Sequence, residues 1–371
     1  MPRGLYVHIP FCHKHCHYCD FVITTNRSDQ NRARFFTAIQ KEIRQARKKY
    51  GRLTFDTLYF GGGTPSTLSV KEMEELLDWL RDAFDFHSGF EFTCEINPED
   101  AVQEKLSGFR KLGMNRASLG VQSFSENLLS NMGRNHTADD TVRAVKAIKD
   151  AGFQSISLDL IIKLPRQTFS DVSGSLDQII ALNPGQVSVY DLDVHDSTVY
   201  GSLAKKGKLI LPSEDAHMEM ASVVESKLSG AGFIQYELTN FARPGFESRH
   251  NLIYWHNQDY LGLGPGAFSY LNGIRYQFAP SLSRYFEKTG AGDWFPDMED
   301  VIDERKKEIE TLLTGLRLRE GIDLDQFRVI RSSIENNLVN MDGLLEKRGT
   351  RIAFTSRGRF LAESIFHRLV V

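Results

Sequence analysis

Three cysteines within a single short run are the residues of this 371-residue chain best suited to chemistry. Cys12, Cys16 and Cys19 follow the spacing C-x-x-x-C-x-x-C. A cubane iron–sulfur cluster has four irons and is usually held by four thiolates, so a three-cysteine site leaves one iron with an open coordination position, able to bind a small molecule. The competing chemistry is zinc, which takes four N or S ligands and could draw on His13, His15 or His17 in the same run. Cys94 stands apart from the three.

The elements that must position this loop are legible from periodicity. Short β-branched or aromatic runs alternate with amphipathic helical ones. Strands are expected over 5–9, 56–60, 91–96, 116–121, 155–161 and 186–192. Helices are expected around 35–50, around 70–84 with Ser69 and Glu72 in capping-box spacing, closing at Leu112 before Gly113, and closing at Ala151 before Gly152. Six strand–helix units demand parallel strands and right-handed crossovers, which leaves a doubly wound sheet or a barrel-like one. In either, chemistry gathers at the carboxyl ends of the strands. The cysteines after the first strand, Gly61-Gly62-Gly63-Thr64 after the second, Glu95 ending the third and Gln122 after the fourth all obey that rule and converge on one mouth. Asp159 rides on the fifth strand. From about residue 299 the rhythm stops. A helix over 304–316, another near 334–338 and a strand pair near 351–355 read as a small helical, winged-helix-like domain, dividing the chain into 1–298 and 299–371. This domain is expected to dock as a lid without chemistry of its own.

Composition narrows the function classes. With 41% hydrophobic and 25% charged residues and a net charge of −3, the chain has a substantial core and no strongly basic or acidic balance. Nucleic acid is therefore not an expected partner. No apolar stretch approaches the ~18–20 residues that span a bilayer, and no secretory leader is visible. Four cysteines, three of them bunched, do not form a secreted disulfide framework, and a cytoplasmic location is expected.

The cysteine spacing and the strand-end residues together resemble the radical S-adenosylmethionine superfamily. The resemblance implies an α/β fold, a partial (β/α)6 TIM-like barrel, with a 4Fe-4S cluster on Cys12, Cys16 and Cys19 and S-adenosylmethionine as the molecule on the open iron. Tyr6-Val-His-Ile-Pro-Phe-Cys12, Gly61-Gly-Gly-Thr-Pro-Ser66, Gly120-Val-Gln-Ser-Phe124 and Asp159-Leu-Ile161 are similar to the oxygen-independent coproporphyrinogen oxidase group. Its decarboxylase branch carries a further cysteine two positions after the third. Here Asp20-Phe21 follow Cys19, which points to the haem-chaperone (HemW) branch. Arg249-His250-Asn251-Leu-Ile-Tyr254-Trp255 is similar to that branch's H-N-x-x-Y-W haem segment.

Carried over onto this sequence, the resemblance makes Tyr6, Gly62, Gly63, Thr64, Glu95, Gln122, Arg134 and Asp159 contacts of S-adenosylmethionine. A carboxylate such as Glu95 suits its ammonium, and Arg134 suits its carboxylate or a ribose edge. Side-chain-free Gly61–Gly63 would let backbone approach its amino-acid moiety. The resemblance makes His250, Asn251, Tyr254 and Trp255 haem contacts, with a neutral imidazole as axial ligand and two aromatic rings against the porphyrin face. A packing histidine among core aromatics is the bland alternative. The implied function is a haem chaperone that binds haem and passes it to an acceptor apoprotein, by analogy a respiratory haem enzyme. The enzymatic alternative is a radical decarboxylase acting on a tetrapyrrole. Two departures from the group stand out: Lys163-Leu-Pro-Arg166 where glycines are usual, and Phe268 where a histidine is usual.

Overall fold

The computed structural model describes residues 3–291, 296–338 and 341–370. Six strands, β1 (Gly4–Ile9), β2 (Thr54–Gly62), β3 (Asp85–Ile96), β4 (Arg116–Gln122), β5 (Ser155–Ile162) and β6 (Gln186–Asp191), lie side by side in chain order. Every neighbouring pair is parallel. A doubly wound sheet reverses its order at a switch point. The unbroken order seen here, with right-handed crossovers placing the helices on one face, is instead the arc of a partial barrel.

The arc is extended at both edges. Beyond β6 lie two short antiparallel strands, β7 (Ile234–Gln235) and β8 (Asn240–Ala242). Beyond β1, β9 (Tyr260–Leu263) runs parallel to it, followed by the antiparallel β10 (Phe268–Leu271), β11 (Ile274–Gln277) and β12 (Met298–Val301). Among the described strands the two edges do not pair, so the barrel is open.

Strand side chains alternate between the two faces, and the faces differ in chemistry. Leu5, Val7 and Ile9 of β1, Leu58 and Phe60 of β2, Phe92 and Cys94 of β3, Ala117 and Leu119 of β4 and Leu158 and Leu160 of β5 are buried in the main apolar core with the helices. The opposite, concave face carries Tyr6, His8, Thr57, Tyr59, Glu95, Arg116, Ser118, Ser157, Asp159, Gln186 and Ser188, which bond to one another. Cys94 is thus a buried core thiol on the outer face.

The helix signals hold. Helix Val70–Ala83 begins with the Ser69–Glu72 capping box, and Gly113 and Gly152 follow their helices at positive φ. Past β12, helix Glu304–Gly315, β13 (Ile322–Asp323), helix Arg331–Leu338, β14 (Leu345–Arg348), β15 (Arg351–Phe354) and two last helices surround a separate core of Leu312, Phe327, Ile334, Ile352 and Leu369. Three strands pair here, in the order β13-β15-β14, one more than the expected pair. The main sheet itself continues through β12, whose first residue is Met298.

Lys163 and Arg166 adopt φ of +62° and +60°, the left-handed region that glycine tolerates best. A left-handed non-glycine residue costs roughly 1–2 kcal/mol, while a new glycine loosens the unfolded chain by roughly 0.4–1 kcal/mol. Lys163→Gly should therefore raise unfolding free energy by up to about 1 kcal/mol in chemical denaturation. A loss of stability would contradict the strain.

Glu42, on helix Asp29–Tyr50, is buried at 3% exposure and accepts from the Gly264 amide at 2.8 Å and the Tyr285 hydroxyl at 2.6 Å. Burial pushes its carboxyl up to about 7, the two hydrogen bonds only partly offsetting this. The unfolded chain ionises at about 4.5, so between pH 4.5 and 7 folding takes up a proton. This stabilisation is complete below 4.5 and is lost as pH rises through 7, at about 1.4 kcal/mol per unit. Glu42→Gln keeps an acceptor for both donors. Its Tm should fall less than that of the wild type as pH is raised across this window, and parallel pH profiles would refute the assignment.

Candidate functional site at the carboxyl ends of the strands

The loop after β1 folds back on itself and on the tip of β2. Cys12 donates its amide to Thr24 and Thr24 to Pro10, while Gly63 and Thr64 donate to the carbonyls of Ile9 and Phe11, both at 2.8 Å. All three cysteines of the loop are free and half-buried. Cys12 Sγ lies 3.4 Å from the Thr64 hydroxyl, and Arg134 reaches Cys16 Sγ at 3.7 Å. Between these contacts stands Asn97, which donates to Thr64 Oγ1 at 3.2 Å and accepts from Arg134 at 2.8 Å. One continuous chain, Cys12–Thr64–Asn97–Arg134–Cys16, therefore ties two of the thiols together from behind. Asn97 was not expected from the sequence. Its signal is its place directly after β3, where strand-end side chains gather.

Burial pushes the Cys12 thiol up to about 11, against the Thr64 hydroxyl, and the Cys19 thiol up to about 12, against the Phe21 amide. Thiols this reluctant to ionise need a positive partner to become ligands, which an iron centre supplies and Arg134 assists. The donor set, three thiols on one loop, fits a cubane cluster with one open iron. The three histidines that could complete a zinc site each have one ring nitrogen engaged. His13 is held by Asp100 at 2.8 Å, His15 by the Cys19 carbonyl at 2.9 Å and His17 by the Asn131 carbonyl at 2.8 Å.

Beside the loop, Glu95 accepts from Tyr59 Oη at 2.9 Å and from the Gly62 amide at 3.1 Å. Burial pushes its carboxyl up to about 7, and the neighbouring Asp159 adds to the rise. Asp159, also raised by burial, accepts from Ser118 Oγ at 3.1 Å. Tyr6 bonds His8 Nδ1 at 3.1 Å, and His8 Nε2 reaches the Val22 carbonyl at 2.8 Å. Because the carbonyl can only accept, His8 Nε2 carries the proton and Tyr6 donates to Nδ1. Burial lowers His8 to about 4, so it is neutral. Gln122 sits just past a register shift in β4 at φ +65°, a strained conformation of the kind that clusters at functional sites.

The glycines have a packing role that their spacing does not reveal. A Cβ on Gly61 would lie 2.8 Å from Glu95 and Tyr59, one on Gly62 2.4 Å from the His8 ring, and one on Gly63 2.8 Å from the Ile9 carbonyl. The amides of Gly62, Gly63 and Thr64 are all taken by protein acceptors. The run is glycine-rich so that β2 can close against β1 and Glu95.

The H-N-x-x-Y-W residues lie at the other end of the sheet. They form helix Arg249–Trp255, whose first amides, Arg249 and His250, donate to Glu91 at 3.0 Å each, a carboxylate placed where the helix dipole favours it. His250 is 1% exposed and packs over Gly4, at the start of β1. The cysteine loop begins past the end of that strand, roughly 17 Å away along it. Both ring nitrogens of His250 are engaged, Nδ1 with Thr57 Oγ1 at 2.6 Å and Nε2 with Tyr254 Oη at 2.8 Å, and Tyr59 stacks on the ring at 5.0 Å. Burial holds it down at about 3. An axial ligand needs a free nitrogen facing open space, and His250 has neither. Both ring nitrogens thus have protein partners in this structure, and a haem contact through His250 would require one of these hydrogen bonds to open. Tyr254 is wedged between His250 and Tyr260, whereas Asn251 and Trp255 are half-buried.

With the geometry in view, comparison with known proteins is informative. The sequence model of the Radical SAM superfamily matches residues 6–179. Along nearly its whole length the chain is similar to the heme chaperone HemW of Bacillus subtilis, 34% identical over 98% of each chain. It is also 34% identical to the heme chaperone HemW of Lactococcus lactis, over 100% of this chain and 98% of that one. The chain belongs to the HemW family. Its fold is also that of coproporphyrinogen III oxidase (HemN) from Escherichia coli, a radical SAM enzyme, with a TM-score of 0.87 at 24% identity, covering 100% of this chain and 90% of that one. Among the described residues no helix is long and apolar enough to cross a membrane.

Asn97→Ala removes the shared partner of Thr64 and Arg134. It should cost about 1–3 kcal/mol in stability and lower the iron and sulfide content reached on anaerobic reconstitution. Wild-type iron loading with unchanged stability would show that the connecting chain has no role.

Proposed function

We propose that this protein is a haem chaperone: it binds haem, carries a 4Fe-4S cluster with S-adenosylmethionine at its barrel mouth, and delivers haem to an acceptor protein. The carrying observation is full-length similarity to proteins named heme chaperone HemW, together with three free cysteines on one strand-end loop. Cys12, Cys16 and Cys19 would hold the cluster. Such a cluster supplies single electrons and an open iron for the amino-acid end of S-adenosylmethionine.

The chain's own groups have definable tasks there. Arg134 sets positive charge against Cys16 and, through Asn97, positions Thr64 against Cys12. Glu95, balanced near neutrality by burial, loses its proton when an ammonium arrives beside it. Asp159 offers a second carboxylate deeper on the same face, while Tyr6, Gly62 and Gly63 brace the wall and Gln122 rims it. Haem is assigned to the neighbourhood of helix Arg249–Trp255, at the far end of the sheet from the cysteine loop, where Asn251 and Trp255 are partly exposed. Four free cysteines suit the cytoplasm, a reducing compartment.

Anaerobic titration of reconstituted protein with haem, followed by absorbance, tests this reading. Saturable binding at one site, and loss of that haem to an added apoprotein, are expected. Cys16→Ala should lose the brown cluster absorption while keeping the fold. Non-saturating haem uptake, or a cluster spectrum that survives the substitution, would remove the proposal.

A further inference from the structure

One buried cation on the concave face takes no part in the chemistry of the mouth. Arg116 opens β4 and is 3% exposed. It lies roughly 20 Å along the strand from Gln122, which ends β4 at the rim. Among the described residues its guanidinium makes one hydrogen bond, from Nη2 to Gln186 Oε1 at 2.8 Å, and its Nε–H is buried without a partner.

The strands on either side repeat the pattern. Register places Thr93 of β3 beside Arg116 and Ser155 of β5 on its other flank. The hydroxyls of Thr93 and Ser155 are likewise buried without partners. Three adjacent strands, about 4.8 Å apart, thus present three unsatisfied polar groups in one row. Each is costly in the empty protein, most of all the one that carries charge. Elsewhere on this face the hydroxyls of Tyr59, Ser118 and Ser157 are all engaged.

The carboxylates nearby are committed to other donors. Glu91 accepts from the Arg249 and His250 amides, Glu95 from Tyr59 and Gly62, and Asp159 from Ser118. Glu237 answers the arginine's charge only at a remove of two amides: Gln186 Nε2 donates to Asn240 Oδ1 at 2.8 Å, and Asn240 donates to Glu237 Oε1. Water reaches the face above the row, where Tyr6, Tyr59, Glu95 and Asp159 are partly exposed and Tyr190 is exposed.

A carboxylate suits every member of the row. It brings the missing negative charge, and its two oxygens offer about four lone-pair sites to the Arg116 N–H groups and to two hydroxyls free to donate. A water molecule would satisfy the hydroxyls and leave the charge uncompensated. A cation would meet Arg116 as a like charge.

We propose that Arg116, Thr93 and Ser155 form a carboxylate-binding site on the barrel floor, separate from the mouth where the cysteines lie. The carboxylate belongs either to a free small acid or to a propionate arm of haem held near helix Arg249–Trp255. The Arg116 charge reaches that helix, since it adds to burial in holding His250 down at about 3. The site exists whether or not haem binds.

The test is calorimetric titration of the unloaded protein with sodium propionate, with thermal unfolding followed alongside. Saturable uptake and a saturable rise in Tm are expected, and sodium chloride at equal ionic strength should give neither. Folded Arg116→Met should bind propionate at least roughly tenfold more weakly, and Thr93→Val and Ser155→Ala roughly threefold more weakly each. Haem separates the two sources. Displacement of propionate by haem but not by haem dimethyl ester assigns the site to haem's own carboxylate, and undisturbed propionate assigns it to a free acid. Wild-type protein that responds to propionate no differently from chloride overturns the site. So does undiminished binding in folded Arg116→Met or, should that variant not fold, in both hydroxyl variants.

Discussion

The contact on which the rest of the site depends is the approach of the β2 tip to the loop after β1, an approach that only glycine permits. With Gly63 donating to Ile9 and Thr64 to Phe11, the backbone passes so close that a methyl group would collide with a carbonyl. That proximity brings the Thr64 hydroxyl under Cys12, and through Asn97 it fixes Arg134 beside Cys16. A cluster loop of three cysteines has little rigidity of its own. Here the rigidity is borrowed from two neighbouring strands and from a hydrogen-bonded chain that reaches β3 and the helix after β4.

The concave face of the sheet explains why so many ionisable groups accumulate in one place. A parallel barrel normally fills its interior with branched apolar residues. This one lines it with tyrosines, serines, an arginine and carboxylates, and each carboxylate is destabilised in its charged form by removal from water. Glu95 and Asp159 are costly for the empty protein and become favourable when a cation shares their environment. The outer face, apolar along all six strands, supplies the burial that offsets that cost.

Much of this was legible in the sequence. Residues that end strands in a βα repeat must meet at one mouth, so Cys12, Glu95, Gln122 and their neighbours could be grouped without coordinates. Ser69 and Glu72 announced a capping box that is present. What stayed hidden depends on contacts between distant segments. His250 reads as a haem contact from its neighbours Tyr254 and Trp255, but its partners in the fold include Thr57 and Gly4, and no local pattern records that pairing. The glycines after β2 announce a need for closeness, but the motif does not name His8, Glu95 and the Ile9 carbonyl as what comes close. Asn97 escaped notice because a lone asparagine before a proline looks like a turn former.

The placement of β1 has a consequence for how the protein is made. Gly4 pairs with Thr57 on one side and with Tyr260 on the other. The strand carrying the cysteines leaves the ribosome first, yet it acquires its second neighbour only after roughly two hundred further residues have been added, some 10–40 seconds of synthesis at ordinary rates. Throughout that interval β1 has one open edge, and the C-terminal unit is still unmade. The cysteine loop is therefore anchored through β2 long before its second flank exists, so the order in which this loop is fixed in place is a property of strand order.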